Sequence, residues 1–338
     1  MIPAGVVWLA LGLLPSAARG GDTFAKIHAT GVVRCGVGEA LRGFAQQDTQ
    51  GHWTGLNVDF CRAVAAAVLG DAAKVDFVPL RASARFLALK SGEIDLLLRN
   101  ATWTLEREAG LGVHFVGTLF YDSQTVMVPH ASKVSHIAEL NGVTMCIEKG
   151  TNHEANLTDY IRARGLTYQP LILNSLAELT EAFFAGRCQA YTSDLSQLAA
   201  VRAEAPSGPE NFVILPELLA KEPLSPVVQR GDEEWSTLVQ WVLFALIEAE
   251  ERGVTRDNVH TLATTTVDPA VQRLLGANSG FGKALGVRND WVVRVVGSVG
   301  NYGEMFERHL GRQSALRLER GLNRLWTQGG LMYAPPWQ

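Results

Sequence analysis

The sequence predicts an α/β protein of two similar lobes, and three observations carry that prediction. Short strand-like runs alternate with helix-like runs through the first hundred residues. The same alternation starts again near residue 143. A nine-residue extended stretch lies between the two series, and a second extended stretch follows the later one. Alternation of this kind implies parallel strands with helices on the faces of the sheet. Two α/β units in 338 residues also match the size at which chains divide into domains.

The elements read as follows. Residues 5–14 (GVVWLALGLL) form an apolar run followed by Pro15, Ser16, Ala17 and Ala18. That is the length and exit pattern of an export signal, expected over residues 1–20, although no Lys or Arg precedes the run. It is too short to cross a bilayer. The first lobe is expected over 21–126. In it, 32–37 is a strand and 57–69 a helix whose Phe60, Val64, Ala67 and Val68 share one face before Gly70 stops it. Residues 74–80 are a strand, 83–89 a helix, and 95–98 (DLLL) a buried strand.

Residues 121–129 (YDSQTVMVP) are extended and suited to crossing between lobes. The second lobe, 127–225, repeats the pattern with strands at 143–147, 168–173 and 189–193 and helices at 152–164, 176–185 and 195–204. Pro223, Pro226 and the extended Val227–Val228 suggest a return crossing. Residues 232–252 then form a long helix striped by Trp235, Leu238, Val239, Val242, Leu243, Leu246 and Ile247. Residues 226–338 are thus expected to return to the first lobe and add a helical extension packed on it.

Composition narrows the function. Hydrophobic residues make up 47% and charged residues 19% of the chain, enough apolar material for two cores. The net charge of −4, without a basic block, argues against nucleic acid, whose phosphates require clustered cations. The four cysteines, Cys35, Cys61, Cys146 and Cys188, allow three pairings in an oxidising compartment. Cys35–Cys61 and Cys146–Cys188 are favoured because each pair then stays within one lobe.

Most motifs fail. Gly36 and Gly38 need a third glycine where Leu41 stands, and Gly282–Lys283 needs a glycine at Ala277 and a hydroxyl at Ala284. No zinc-ligand cluster or nucleophile elbow is present, so no metal, cofactor or catalytic residue is expected. His114 and His153 read as isolated loop or surface histidines.

Two segments remain. Residues 99–107 (RNATWTLER) follow a buried strand, where open α/β sheets bind ligands. There Asn100 and Thr102 offer hydrogen bonds, and the planar fork of Arg107 matches a carboxylate. Gly150–Thr151–Asn152 opens a helix whose N–H groups can receive an anion, or whose start those side chains simply cap. Asp194, at a strand end, can receive an ammonium or cap the next helix.

Several stretches carry a family resemblance: RCGV at 34–37, DFCRAVAAAVLGD at 59–71, RFLALKSGEIDLLLRNATWT at 85–104 and YTSDLSQLAAVR at 191–202. FALIEAEERG at 244–253, VGNYGEMFERHLG at 299–311 and RGLNRLWTQGGLMYAPP at 320–336 continue it. The chain resembles the general L-amino-acid-binding periplasmic components of polar-amino-acid ABC importers, members of family 3 of the solute-binding proteins, from about Val32 to Pro336.

That resemblance implies the type II periplasmic-binding-protein fold: two lobes, two crossing strands and a ligand in the cleft. It implies that Arg107 and Thr102 hold an α-carboxylate with help from Gly150, Thr151 and Asn152. Asp194 and the Asn100 carbonyl would hold the α-ammonium, with Phe44 against the side chain and Trp103 near it. It implies a monomer that delivers an L-amino acid to an inner-membrane permease. The alternatives on the same fold are an enzyme of the cyclohexadienyl-dehydratase kind, for which Glu148, Glu154 or His153 would supply acid or base, and a sensor docking on a receptor. The chain departs from the family pattern at Arg42, Ser123, Asn152, His153 and Ser225. Arg42 and His153 either favour acidic ligands or face water.

Overall fold

In a computed structural model, residues 23–277 and 279–338 are described. The expected export signal lies outside the described residues. After helix α1 (Thr23–Thr30), the first lobe runs β1 (Val33–Gly38), a small hairpin β2 (Gln46–Gln47) and β3 (Trp53–Thr54), and α2 (Leu56–Leu69). It continues through β4 (Val75–Leu80), α3 (Arg85–Lys90), β5 (Leu96–Thr102), α4 (Leu105–Leu111) and β6 (Val113–Phe115). Strand β7 (Phe120–Pro129) leaves it. The second lobe holds β8 (Thr144–Glu148), α5 (His153–Arg162), β9 (Gln169–Leu173), α6 (Leu176–Phe184), β10 (Ala190–Asp194), α7 (Leu195–Ala203) and β11 (Phe212–Ile214). Strand β12 (Ala220–Gln229) returns.

One sheet runs through both lobes in the order β4-β1-β5-β12-β7-β10-β8-β9. Its two ends repeat each other. β1 lies parallel between β4 and β5, and β8 lies parallel between β9 and β10. An antiparallel strand closes each set, β12 against β5 and β7 against β10. At the centre β7 and β12 pair with each other, from Phe120↔Leu224 to Gln124↔Ala220. That antiparallel ribbon of five residue pairs is the connection on which the lobes would turn.

Local sequence explains the elements. Leu96, Leu97 and Leu98 are buried on both faces of β5, as an unbroken apolar run in a parallel sheet requires. α2 is rich in alanine, and almost every residue of it is buried. Gly70 ends it in the left-handed conformation, φ 72°, and donates its N–H to Ala66. α8 (Glu233–Glu251) is capped by the Asp232 carboxylate, which accepts from the Trp235 amide, and its whole predicted stripe is buried. Each such large apolar side chain contributes about 1.5–3 kcal/mol.

The C-terminal extension adds α9 (Val259–Thr265), α10 (Pro269–Leu274), α11 (Phe281–Ala284), α12 (Trp291–Val299) and α13 (Tyr302–His309). α12 packs on α2 and α8, so the extension covers the first lobe. Asp59 on α2 fastens it, with Arg308 and His309 each 2.6 Å away. Burial works to raise the Asp59 carboxyl, but its contacts with His309 and Arg308 outweigh that and lower it to about 2. Asn323 reaches the start of the ribbon, accepting from the Tyr121 amide at 2.7 Å and donating to its carbonyl at 3.0 Å.

Both disulfides join the favoured partners, Cys35–Cys61 with Cα atoms 6.2 Å apart and Cys146–Cys188 with Cα atoms 5.7 Å apart. Each stays in one lobe and leaves the ribbon free. Closing loops of 26 and 42 residues stabilises by roughly 3–4 kcal/mol each in the chain-entropy account.

Candidate functional site

The ends of β5, β8 and β10 meet across the cleft, and an unusual density of buried charge lies there. From the first lobe come Arg85, Arg99 and Arg107. From the second come Glu148, His153 and Asp194, and from the returning strand comes Glu222, all of them buried. Arg99 Nη2 lies 2.6 Å from Glu148 Oε1, an ion pair that bridges the two lobes. Gly150 lets the lobes meet closely. Its φ is 84°, and a Cβ there would come within 2.6 Å of the Ser83 backbone.

Arg107 sits in the first turn of α4, whose N-cap Thr104 accepts from the Arg107 amide. Its guanidinium donates to the Thr102 carbonyl at 2.9 Å and to Asn152 Oδ1 at 3.3 Å. Among the described residues it has no carboxylate within ion-pair distance. Burial lowers its pKa, against the opposing charges of Glu222 and Asp194. Arg85 is more extreme. Burial and then the neighbouring Arg107 and Arg99 push it well below its ordinary value. Both guanidiniums lie over the Phe86 ring, 5.0 and 5.4 Å from its centre. The first lobe therefore presents unneutralised cationic forks, which suit a carboxylate.

Asp194 is the N-cap residue of α7, yet its side chain makes no capping bond. It pairs instead with His153, Nε2 to Oδ1, at 3.0 Å. His153 is not the surface histidine expected from the sequence. It is 4% exposed, because the start of α5 turns it inward against β10. Its carbonyl accepts from Gln124 Nε2 at 2.9 Å, and the same amide donates to Thr192 Oγ1 at 2.9 Å. Burial opposes its charge, but Asp194, Glu222 and Glu148 outweigh that and raise its pKa.

Asn152 also turns inward. It makes no helix cap, so the capping alternative does not hold for it. Its Oδ1 lies 3.2 Å from Thr102 Oγ1, and its Nδ2 donates to both Glu222 oxygens at 2.8 and 3.0 Å. Glu222 further accepts from Thr102 at 2.5 Å and Asn156 at 3.0 Å. Burial and the charge of Asp194 raise Glu222 despite those bonds.

Thr151 donates to the Glu148 carbonyl and tightens the turn. Asn100, with φ 41°, accepts from Asn57 Nδ2 at 2.7 Å, which leaves its own Nδ2 buried and unpartnered. Arg85 Nε and His153 Nδ1 are likewise without partners among the described residues. Beside Asn100 a small cavity of about 20 Å³ lies between the lobes, lined by Phe44, Asn57, Arg99, Leu176 and Gln197.

Trp103 does not join this group. It is 38% exposed, stacks on Phe115 and donates to Glu108. It alternates outward from β5, while Thr102 faces in. Arg42 reaches across the mouth to Glu204 at 2.6 Å. His114 is partly exposed beside Glu108. His153, Asp194 and Glu222 bring three possible metal-ligand atoms within 4.8 Å of one another.

Sequence reasoning missed Arg85, Glu222 and Asp122. Arg85 carried one signal, a lone cation at an otherwise apolar position before Phe86. Asp122 accepts from Ser196, and burial followed by the charge of Asp194 pushes it up to about 8. Its ordinary value is 3.8, so the folded state holds this proton where the unfolded chain has lost it. The associated stability is complete below pH 3.8 and is lost as the pH rises through about 8. Asp122→Asn is therefore expected to flatten the pH dependence of urea unfolding between pH 5 and pH 8. An unchanged slope would assign the dependence to other groups.

Comparison with known proteins agrees with this architecture. The model of the bacterial extracellular solute-binding proteins, family 3, matches residues 33–255. A general L-amino acid-binding periplasmic protein of Rhizobium johnstonii is 44% identical over 98% of this chain and 96% of its own length. A glutamate/glutamine/aspartate/asparagine-binding protein of Rhodobacter capsulatus is 45% identical over 98% of this chain and 97% of its own. A periplasmic binding protein from Brucella ovis, solved with glutathione bound, superposes with a TM-score of 0.92 at 43% identity. It covers 94% of this chain and 100% of that one. With its doubled sheet, crossing ribbon and charged cleft, this chain belongs to family 3 of the bacterial extracellular solute-binding proteins.

Proposed function

We propose that the chain captures an L-amino acid in the interlobe cleft by clamshell closure and delivers it to an ABC importer. The observation that carries this reading is Arg107, a buried guanidinium aimed across the cleft with no carboxylate of the protein paired to it among the described residues. A ligand carboxylate would complete it as a bidentate pair. The relatives' names support an amino-acid ligand, a periplasmic setting and a binding rather than a catalytic role.

In this reading residues 1–20 are an export signal. The first lobe (21–126, completed by 226–338) binds first, and the second (127–225) closes over the ligand by bending at the β7–β12 ribbon. Thr102 and the turn at Gly150, Thr151 and Asn152 assist Arg107, Asp194 faces the ligand's nitrogen, and Phe44 lines the side-chain pocket beside Asn100. The protein works as a monomer, and its closed form docks on a membrane permease. Closure is stabilised only by the ligand's greater affinity for the closed form.

A thermal-shift screen of the mature protein against the L-amino acids tests this. A ligand at 100 times its dissociation constant stabilises by about 2.7 kcal/mol, a shift of several degrees. No shift with any of them, from folded and ligand-free protein, sinks the amino-acid assignment.

A further inference from the structure

Consecutive residues at the root of the crossing ribbon are held by the C-terminal extension. Tyr302, at the start of α13, donates from its hydroxyl to the Leu119 carbonyl at 2.9 Å. Phe306, one turn on, stacks on Phe120 with ring centres 6.2 Å apart. Asn323 accepts from the Tyr121 amide and donates to the Tyr121 carbonyl. A residue in an antiparallel strand turns both its backbone groups to the same neighbour. At Tyr121 that neighbour is not a strand but a carboxamide, which offers the acceptor and the donor of a peptide group. Tyr302, Phe306 and Asn323 are all buried, and all lie beyond residue 255, where the family match ends.

Arg320 makes one unit of the three. Its guanidinium lies over the Tyr302 and Phe306 rings, 5.2 and 4.9 Å from their centres. It donates twice to the Asn323 carbonyl, at 2.9 and 2.7 Å. Glu250 on α8 accepts the rest of the fork at 3.0 and 3.1 Å, which fastens the unit to the first lobe. The second lobe takes hold of β7 just beyond Tyr121. Ser196 donates to the Asp122 carboxylate, and β10 pairs with β7 from Gln124↔Asp194 onward. Between the two grips lie the backbones of Asp122 and Ser123, with Glu222 and Lys221 opposite them on β12.

We propose that Asn323 is a positioning residue for ligand capture: with Tyr302 and Phe306 it clamps the first-lobe end of β7, so that the lobes turn at Asp122 and Ser123 and close along one path. The inference deepens the clamshell reading of the cleft and rests on it. Hinges are a few residues that absorb the backbone change. A root left loose would spread the bending and let the lobes meet out of register. Apparent affinity falls with the fraction of protein that is competent to close.

Pulsed electron-spin resonance on the full mature chain measures the distance between the lobes. The labels sit on keto side chains introduced at the exposed Lys90 and Arg164, one on each lobe, which leaves both disulfides untouched. Asn323→Ala removes both bonds to Tyr121. Its ligand-free distance distribution is expected to be broader than that of the wild type. Calorimetry with L-glutamate, L-glutamine and L-leucine is expected to show affinity falling about tenfold for each of them that the wild type binds, because the loss lies in closure and not in one side-chain contact. Arg320→Lys, which keeps the charge beside Glu250 but loses the planar fork, serves if Asn323→Ala does not fold. A folded variant with the wild-type width overturns the proposal even if it unfolds more easily, since a purely structural role moves stability alone. Unchanged affinity in a folded variant also overturns it. The width is measured without ligand, so it judges the clamp even if no amino acid binds, an outcome that would overturn the ligand assignment alone.

Discussion

Arg107→Ala is expected to weaken ligand binding by on the order of 10²–10³-fold without lowering the stability of the ligand-free protein. The two effects part company because of what Arg107 touches. Its protein partners are a backbone carbonyl, the Asn152 amide oxygen and the Phe86 ring, with no carboxylate paired to it among the described residues. Burial lowers its pKa, which means the fold pays to keep this charge inside. Removing it relieves that cost and loses two hydrogen bonds of about 1 kcal/mol each. The ligand carboxylate, in contrast, is left buried without a counter-charge, a penalty of about 3–5 kcal/mol in comparable pairs. Calorimetry of binding and urea unfolding of the free protein measure the two sides. Binding within threefold of the wild type would remove Arg107 from the clamp. A large loss of stability would make it a structural residue instead.

Glu148→Ala is expected to hold the cleft open. The Arg99–Glu148 pair crosses from β5 to β8 at 2.6 Å, with side chains 9% and 2% exposed. Without Glu148, closing the lobes would bury the Arg99 charge uncompensated, again at about 3–5 kcal/mol. Opening hydrates it, so the variant escapes most of the penalty by separating the lobes. Apparent affinity scales with the fraction of closed-competent protein, and it is expected to fall by on the order of 100-fold. Small-angle scattering should show a larger radius of gyration that ligand restores only at high concentration. A variant that scatters and binds like the wild type would show that the seam is held elsewhere, for example at Arg42–Glu204, where both partners are well exposed and the pair is worth little.

The fold was largely legible because its signals are local. The DLLL run, the alanine-rich stretch before Gly70, the stripe of α8 and the capping Asp232 each fix their element within a few residues. Element ends moved by one or two positions, as frayed termini do. The strand β5 extends to Thr102 rather than stopping at Leu98 because β12 pairs with it there, Leu224 lying opposite Thr102 from far along the chain. The helix α1 escaped notice because its one fully buried residue, Ile27, gives no periodic pattern.

The sequence by itself determined the two-lobed α/β class, the cysteine partners and the chemical character of Arg107, because hydrophobic period, turn residues and side-chain type act over short distances. It also drew attention to residues 152 and 153 as departures, without saying where they point. Only the tertiary structure decided that His153 lies buried on Asp194, that Asn152 reaches Arg107 rather than capping its helix, and that Trp103 faces away. It alone brought Arg85, Arg99 and Glu222 into one cleft. The physical reason is that buried charge is a collective property. A side chain's partner, its dielectric surroundings and hence its ionisation are set by residues from strands far apart in sequence, which only the assembled sheet brings together.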